Sequence, residues 1–134
     1  MAKNALKSYR KAQVNTATPA QRVVMMYEGL AKELSKAKVA IEGQGNDIKN
    51  IEIANNAINL SVQIILELNL ALDMERGGDI SKNLRDLYEF WMAHLSEANT
   101  DKDATKVGDV LSMAEEMRDT WREAAKKARQ QGID

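Results

Sequence analysis

Residues Gln13–Gly29, QVNTATPAQRVVMMYEG, decide the fold, because they hold the chain's single proline at a place where a helix begins. Thr18 is suited to accept a hydrogen bond from an orphan amide of the first turn. Pro19 then fills the first helical position, where a missing N–H costs nothing. Gln21, three residues after Thr18, can reach back to close a capping box. The stretch therefore marks a boundary between an arm, Met1–Ala17, and a helical body that begins at Pro19.

Downstream of Pro19 the apolar residues recur at helical spacing. Val23, Tyr27, Leu30, Leu34, Ala37 and Ile41 alternate by four and three up to about Glu42, and Gly43 and Gly45 end the run. A second helix is expected from about Asp47 to Glu75, stopped by Gly77-Gly78. Asp79 is expected to cap a third, with the stripe Ile80, Leu84, Leu87, Trp91, Leu95 and Ala98. After Asn99-Thr100-Asp101 a fourth carries Val107, Val110, Ala114, Met117, Trp121, Ala124 and Ala128. Connections of a few residues force neighbours to lie antiparallel, which predicts an all-α, up-down-up-down four-helix bundle. The body spans residues 19–130 of one domain covering the whole chain, with the arm as a short extension or cap helix.

One segment argues against this. INLSVQIILELNLAL, Ile58–Leu72, nearly alternates apolar and polar residues, a strand signature. The segment has helix-compatible flanks and no partner strand anywhere in the chain, and a lone strand would leave its backbone groups unpaired. Helix is the consistent reading.

Placed on a helix at about 100° per residue, the segment has more apolar surface than a bundle core requires. Ile58, Val62, Ile65, Leu68 and Leu72 form one broad face, predicted to be core. Ile53, Ala57, Leu60, Ile64 and Ala71 form a second stripe, centred about 220° away. That stripe fits a groove for another protein's amphipathic helix, or an irregularly packed central helix, or a dimer interface. Asn69 projects near the middle of the core face, and the sequence assigns it no function.

Composition narrows the classes. With 134 residues the chain holds one domain with a real core. Its net charge of −1, from 19 basic and 20 acidic residues, gives no global attraction to nucleic acid or to an anionic membrane. No stretch approaches the roughly 18 apolar residues that span a bilayer, and the N-terminus has no apolar signal core. A soluble cytoplasmic protein is expected. Without cysteine there is neither a disulfide nor a thiolate metal site. His94 is the sole histidine, and three residues before it stands Trp91 rather than the glutamate of a di-iron bundle. Gly77-Gly78 lacks the Gly-Lys-Ser/Thr of a phosphate loop. The chain reads as no enzyme, without metal or cofactor.

The arm carries Lys3, Lys7, Arg10 and Lys11 and no acid, while Asp101–Asp119 is net acidic. Leu6 and Tyr9, three apart, share a face if the arm forms a helical turn. They would then cap the exposed stripe until a client displaces them. A solvated, disordered tail is the other reading.

The arm ALKSYRKAQVNTATP with its Tyr9, the Met-Met-Tyr-Glu-Gly run, LALDMERGGDISKNLRDLYEFWMAHLSEAN (Leu70–Asn99) and EEMRDTWREAAKKA (Glu115–Ala128) together resemble the FliS-type flagellin export chaperones, in order and over nearly the whole chain. Arg22, Glu28 and Phe90-Trp91 depart mildly from that pattern. The resemblance implies a chaperone that binds the disordered C-terminal region of flagellin one to one. It would block premature polymerisation and pass the complex to the flagellar export gate without nucleotide. It also implies an N-terminal segment that rearranges on binding, which adds Leu6 and Tyr9 to Ile53, Ala57, Leu60, Ile64 and Ala71 as partner-binding residues. A self-associating structural bundle, weakly dimeric when free, is the rival reading.

Overall fold

The computed structural model describes residues 17–43 and 47–132, which form four helices. We number them α1 (Pro19–Gly43), α2 (Ile48–Leu70), α3 (Gly78–Asp101) and α4 (Ala104–Gln130). No strand occurs among the described residues, and the alternating segment is helical through Leu70.

The capping box forms as its sequence requires. The Gln21 amide donates to Thr18 Oγ1 at 3.2 Å, and the Thr18 amide donates to Gln21 Oε1 at 3.0 Å. Asp47 caps α2 through the Lys49 amide. Asp103 caps α4 through the amides of Thr105 and Lys106.

Contacts between helices run in opposite numerical order, which makes sequence neighbours antiparallel. Gly29 faces Ile64 while Gly43 faces Asn50. His94 meets Asp109 while Glu97 meets Lys106. The ring closes through α1 and α4, where Glu28 pairs with Arg122 and Lys38 lies over Gly108. Each helix thus packs chiefly on two others, and α1 lies diagonally across from α3. This is the expected four-helix bundle.

Inside, Tyr27, Leu30, Leu34 and Ala37 of α1 meet Ile58, Ile65 and Leu68 of α2. Trp91 and Leu95 of α3 and Val107, Val110 and Ala114 of α4 complete the core. A polar link crosses its centre: the Tyr27 and Tyr88 hydroxyls lie 2.5 Å apart, both buried, joining the diagonal helices. The Trp91 ring packs edge-on to Tyr27, with centroids 6.4 Å apart. Burial, and then the bond to Tyr88, pushes the Tyr27 hydroxyl far above its ordinary range. Burial also raises Tyr88, although its bond to Tyr27 opposes the rise.

Three boundaries differ from the sequence expectation. α2 ends at Leu70 rather than near Glu75, because Asp73 starts a turn of its own. Its carboxylate accepts from the amides of Glu75 and Arg76, and its carbonyl accepts from the Gly77 amide and the Ser81 hydroxyl. Gly77, not Asp79, is the N-cap of α3, and Asp79 lies in the first turn. A Cβ on Gly77 would sit 1.7 Å from Ser81 Oγ and 2.7 Å from the Asp73 carbonyl oxygen, so the turn admits no side chain there. The third difference is that α3 runs through Asn99 and Thr100 to Asp101, and the joint is Lys102-Asp103. Lys102 is left-handed (φ 50°), a conformation that costs an ordinary residue about 1–2 kcal/mol. Its ammonium donates to Asn55 Oδ1 (2.6 Å), Asn99 O (2.6 Å) and Asn99 Oδ1 (2.7 Å), tying the joint to α2.

Ile80, expected in the core stripe, is 72% exposed. It lies in the first turn of α3, at the end of the bundle where no helix covers it. Ser61 is fully buried within the core face of α2, its hydroxyl satisfied by the Ala57 carbonyl at 2.8 Å.

Candidate functional site

Large apolar side chains left in water concentrate around one helix. Ile48, Leu60, Leu66 and Leu70 belong to α2, and Met74 lies in the turn after it. Val39 of α1 is exposed beside its first half. Contiguous apolar surface of this kind is a candidate interaction site.

Two strips make up this surface. The first follows the seam between α1 and α2. At its upper end Val39, Ala40 and Ile53 line an open cleft of about 630 Å³, with Lys32 and Lys36 among its walls. Further along α2 come Leu60, 45% exposed, and Ile64, half-buried near Gly29. The second strip is the i, i+4 pair Leu66 and Leu70 on α2, followed by Met74 in the turn beyond the helix. Leu70, at 83%, is the most exposed large apolar residue among those described.

The structure brings together Ile53, Leu60 and Ile64 of the second stripe. Ala57 of the same stripe is buried in the core. Ala71 is exposed but stands just past the helix, as its C-cap. Leu6 and Tyr9, and with them the arm, lie outside the described residues. Val39, Leu66, Leu70 and Met74 were missed by the sequence reading. For three of them the 66-70-74 spacing was an available signal.

Asn69 is half-buried at the base of this region, with its Oδ1 enclosed and without a partner among the described residues. Chemistry of other kinds is sparse. His94 stacks on Phe90 at a centroid distance of 5.2 Å and bonds Asp109 at 3.1 Å, on the α3–α4 face. On the same face the Lys106 ammonium, by hydrogen bonding, holds the exposed Glu97 carboxyl below its ordinary range. Among the described residues no three His, Cys, Asp or Glu side chains are grouped to hold a metal ion. No described helix is long and apolar enough to cross a membrane.

Comparison with known proteins fits a surface of this kind better than a reaction centre. The family model described as flagellar protein FliS matches residues 2–128. The chain belongs to the FliS family. A relative from Pseudomonas aeruginosa, named flagellar secretion chaperone FliSB, is 34% identical over 124 residues, covering 90% of this chain and 94% of its own. The flagellar secretion chaperone FliS of Vibrio cholerae serotype O1 is 32% identical over 123 residues, covering 89% and 87% respectively. That of Bacillus subtilis is 31% identical over 126 residues, covering 94% and 90%. The FliS family is one of chaperones rather than enzymes.

Proposed function

We propose that this protein is a flagellar export chaperone whose client is the C-terminal region of flagellin, held as helical segments along the two strips beside α2. The observation that carries the reading is the gathering of exposed Leu60, Leu66, Leu70 and Met74 on and after a single helix whose other side fills the core. A client helix with apolar residues at i, i+3, i+4 and i+7 would match such strips. A disordered client suits them because it wraps a long surface, at the cost of the entropy lost when it orders. Covering the client's own amphipathic faces would keep flagellin subunits from associating before export.

Titration calorimetry with the last fifty or so residues of the host's flagellin tests the reading. The expected result is a one-to-one complex with a large negative heat-capacity change, the mark of apolar burial and coupled folding. A stable homodimer that ignores the peptide would assign the strips to self-association instead.

A further inference from the structure

Away from α2, a second concavity lies where α1 begins and α4 ends. This cleft of about 510 Å³ has Val24, Met25 and Ala125 in its walls, and Ala17 stands at its mouth. On one side the Glu28–Arg122 ion pair (2.8 Å) bridges the two helices. The cleft is an open slot between the two helices.

Its charge is one-sided. Arg122 is already engaged by Glu28, and also lies 3.6 Å from Asp119. Lys126 and Arg129 line the slot, and neither has an ion-pair partner among the described residues. Among the described residues that line the slot Glu28 is the one carboxylate, and Arg122 pairs with it. Arg129 lies in the last turn of α4 and also complements that helix's dipole, but Lys126 lies a turn earlier. The α1 terminus beside the slot has no acid in its first turn, so it adds positive potential. The chain's own segment before Ala17 has Lys3, Lys7, Arg10 and Lys11 and no acid. Like charge disfavours it as the occupant.

We propose that this slot receives the C-terminal end of the client, with its α-carboxylate held by Lys126 and Arg129 and its last apolar side chains against Val24, Met25 and Ala125. The inference rests on the client reading given above. A terminal residue presents an apolar side chain and a carboxylate from one Cα, which matches an apolar wall beside two cations. Charge-assisted hydrogen bonds of this type are the stronger kind, and capture of a terminal carboxylate is a known mode of peptide recognition. The slot would thus fix the register of a client that the strips beside α2 bind through repeating apolar contacts.

One chemical change tests this. Two peptides of the last fifty or so flagellin residues, one ending in the free acid and one in the amide, are titrated into the full-length chain by calorimetry. The same titrations are made into the K126Q/R129Q variant. Both substituted positions are exposed on α4, and circular dichroism checks that the variant is folded. The free acid should bind wild type about tenfold more tightly than the amide, as expected for loss of a charge-assisted contact. In the variant the two peptides should bind alike, at the level of the amide. Equal affinity of acid and amide for wild type would overturn the slot assignment while leaving the client reading intact. A difference that persists in the variant would also overturn it, by placing the carboxylate elsewhere. If neither peptide binds, the client reading fails and the slot assignment fails with it.

Discussion

Replacing Leu60 with aspartate separates docking from folding more cleanly than any other change beside α2. A fully buried leucine contributes about 1.5–3 kcal/mol. Leu60 is 45% exposed, so the lost burial amounts to about 1 kcal/mol, with about 0.5 kcal/mol more for poorer helix propensity. The new carboxylate reaches water and stays charged without penalty. At Ile65, five residues on and wholly buried, the same substitution loses about 2–5 kcal/mol of packing. It must also keep an aspartic acid neutral at pH 7, about 4 kcal/mol for a group that ordinarily titrates near 3.9. The sum, about 6 kcal/mol or more, is comparable with the whole stability of a small domain. Urea unfolding followed by circular dichroism should therefore give Leu60→Asp a slightly lowered midpoint and Ile65→Asp little folded protein. In calorimetry Leu60→Asp should weaken the flagellin peptide by about 2 kcal/mol, roughly thirtyfold in Kd, as for an interface anchor. If Leu60→Asp unfolds the protein as Ile65→Asp does, the assignment of faces is wrong. If it folds and binds normally, the seam is not the docking surface.

Tyr27→Phe strands the buried Tyr88 hydroxyl and should cost about 1–2 kcal/mol, and the Tyr27→Phe/Tyr88→Phe double variant should cost less than the sum of the singles in a denaturant double-mutant cycle. The same pair sets an alkaline limit. Both hydroxyls titrate above their ordinary value of 10 in the fold, so the stability they hold is present below that pH and is lost as pH rises past it. Thermal melts should show the loss in wild type and much less of it in the double variant. Lys102→Ala should destabilise by about 1–2 kcal/mol through loss of the ammonium's three acceptors, and Lys102→Gly should recover part of that by removing the left-handed strain; a glycine variant more stable than wild type would show that strain outweighs the clip. Gly29→Ala, whose new Cβ would lie 3.7 Å from Ile64 Cδ1, should stabilise by about 0.5–1 kcal/mol in thermal melts. Gly77→Ala, which has no room for a Cβ, should destabilise.

The fold was legible because its signals are local and redundant. Thr18, Pro19 and Gln21 form a box whose atoms lie within one helical turn, and nothing distant competes with it. The core stripe of α1 was readable for a related reason, since side chains at 3.6-residue spacing have one buried side to choose. That of α4 held as far as Trp121, but Ala124, expected in it, is exposed. What failed were the joints. Asp73 ends α2 through four hydrogen bonds that its own turn supplies, and no apolar period announces such a turn. Asp79 has the chemistry of a cap, but Gly77 holds the position because its amide donates to the Asp73 carbonyl at 2.8 Å and a side chain there would press to within 2.7 Å of that oxygen. Ile80 has the right angular position for the core, yet periodicity fixes angle only, and height along the bundle decides whether any neighbour covers it.

Angle around the helix governs the candidate site. The wheel put Ile64 and Ile65 about 100° apart; Ile65 is fully buried, while Ile64 is half-buried and packs against the edge of the core. The wheel grouped Ala57 with Leu60 in one stripe, yet they differ in fate: the alanine is buried and the leucine 45% exposed. The two positions are about 60° apart, and Ala57 lies beside Leu68 of the core face, on the inner edge of the stripe, with Leu60 on the outer edge. An apolar stripe is therefore a candidate docking surface only along its outer edge, which on α2 holds Leu60. Leu66, Leu70 and Met74 fall outside both predicted stripes, so a search for surplus apolar surface needs the whole circumference of the helix and not only a second face.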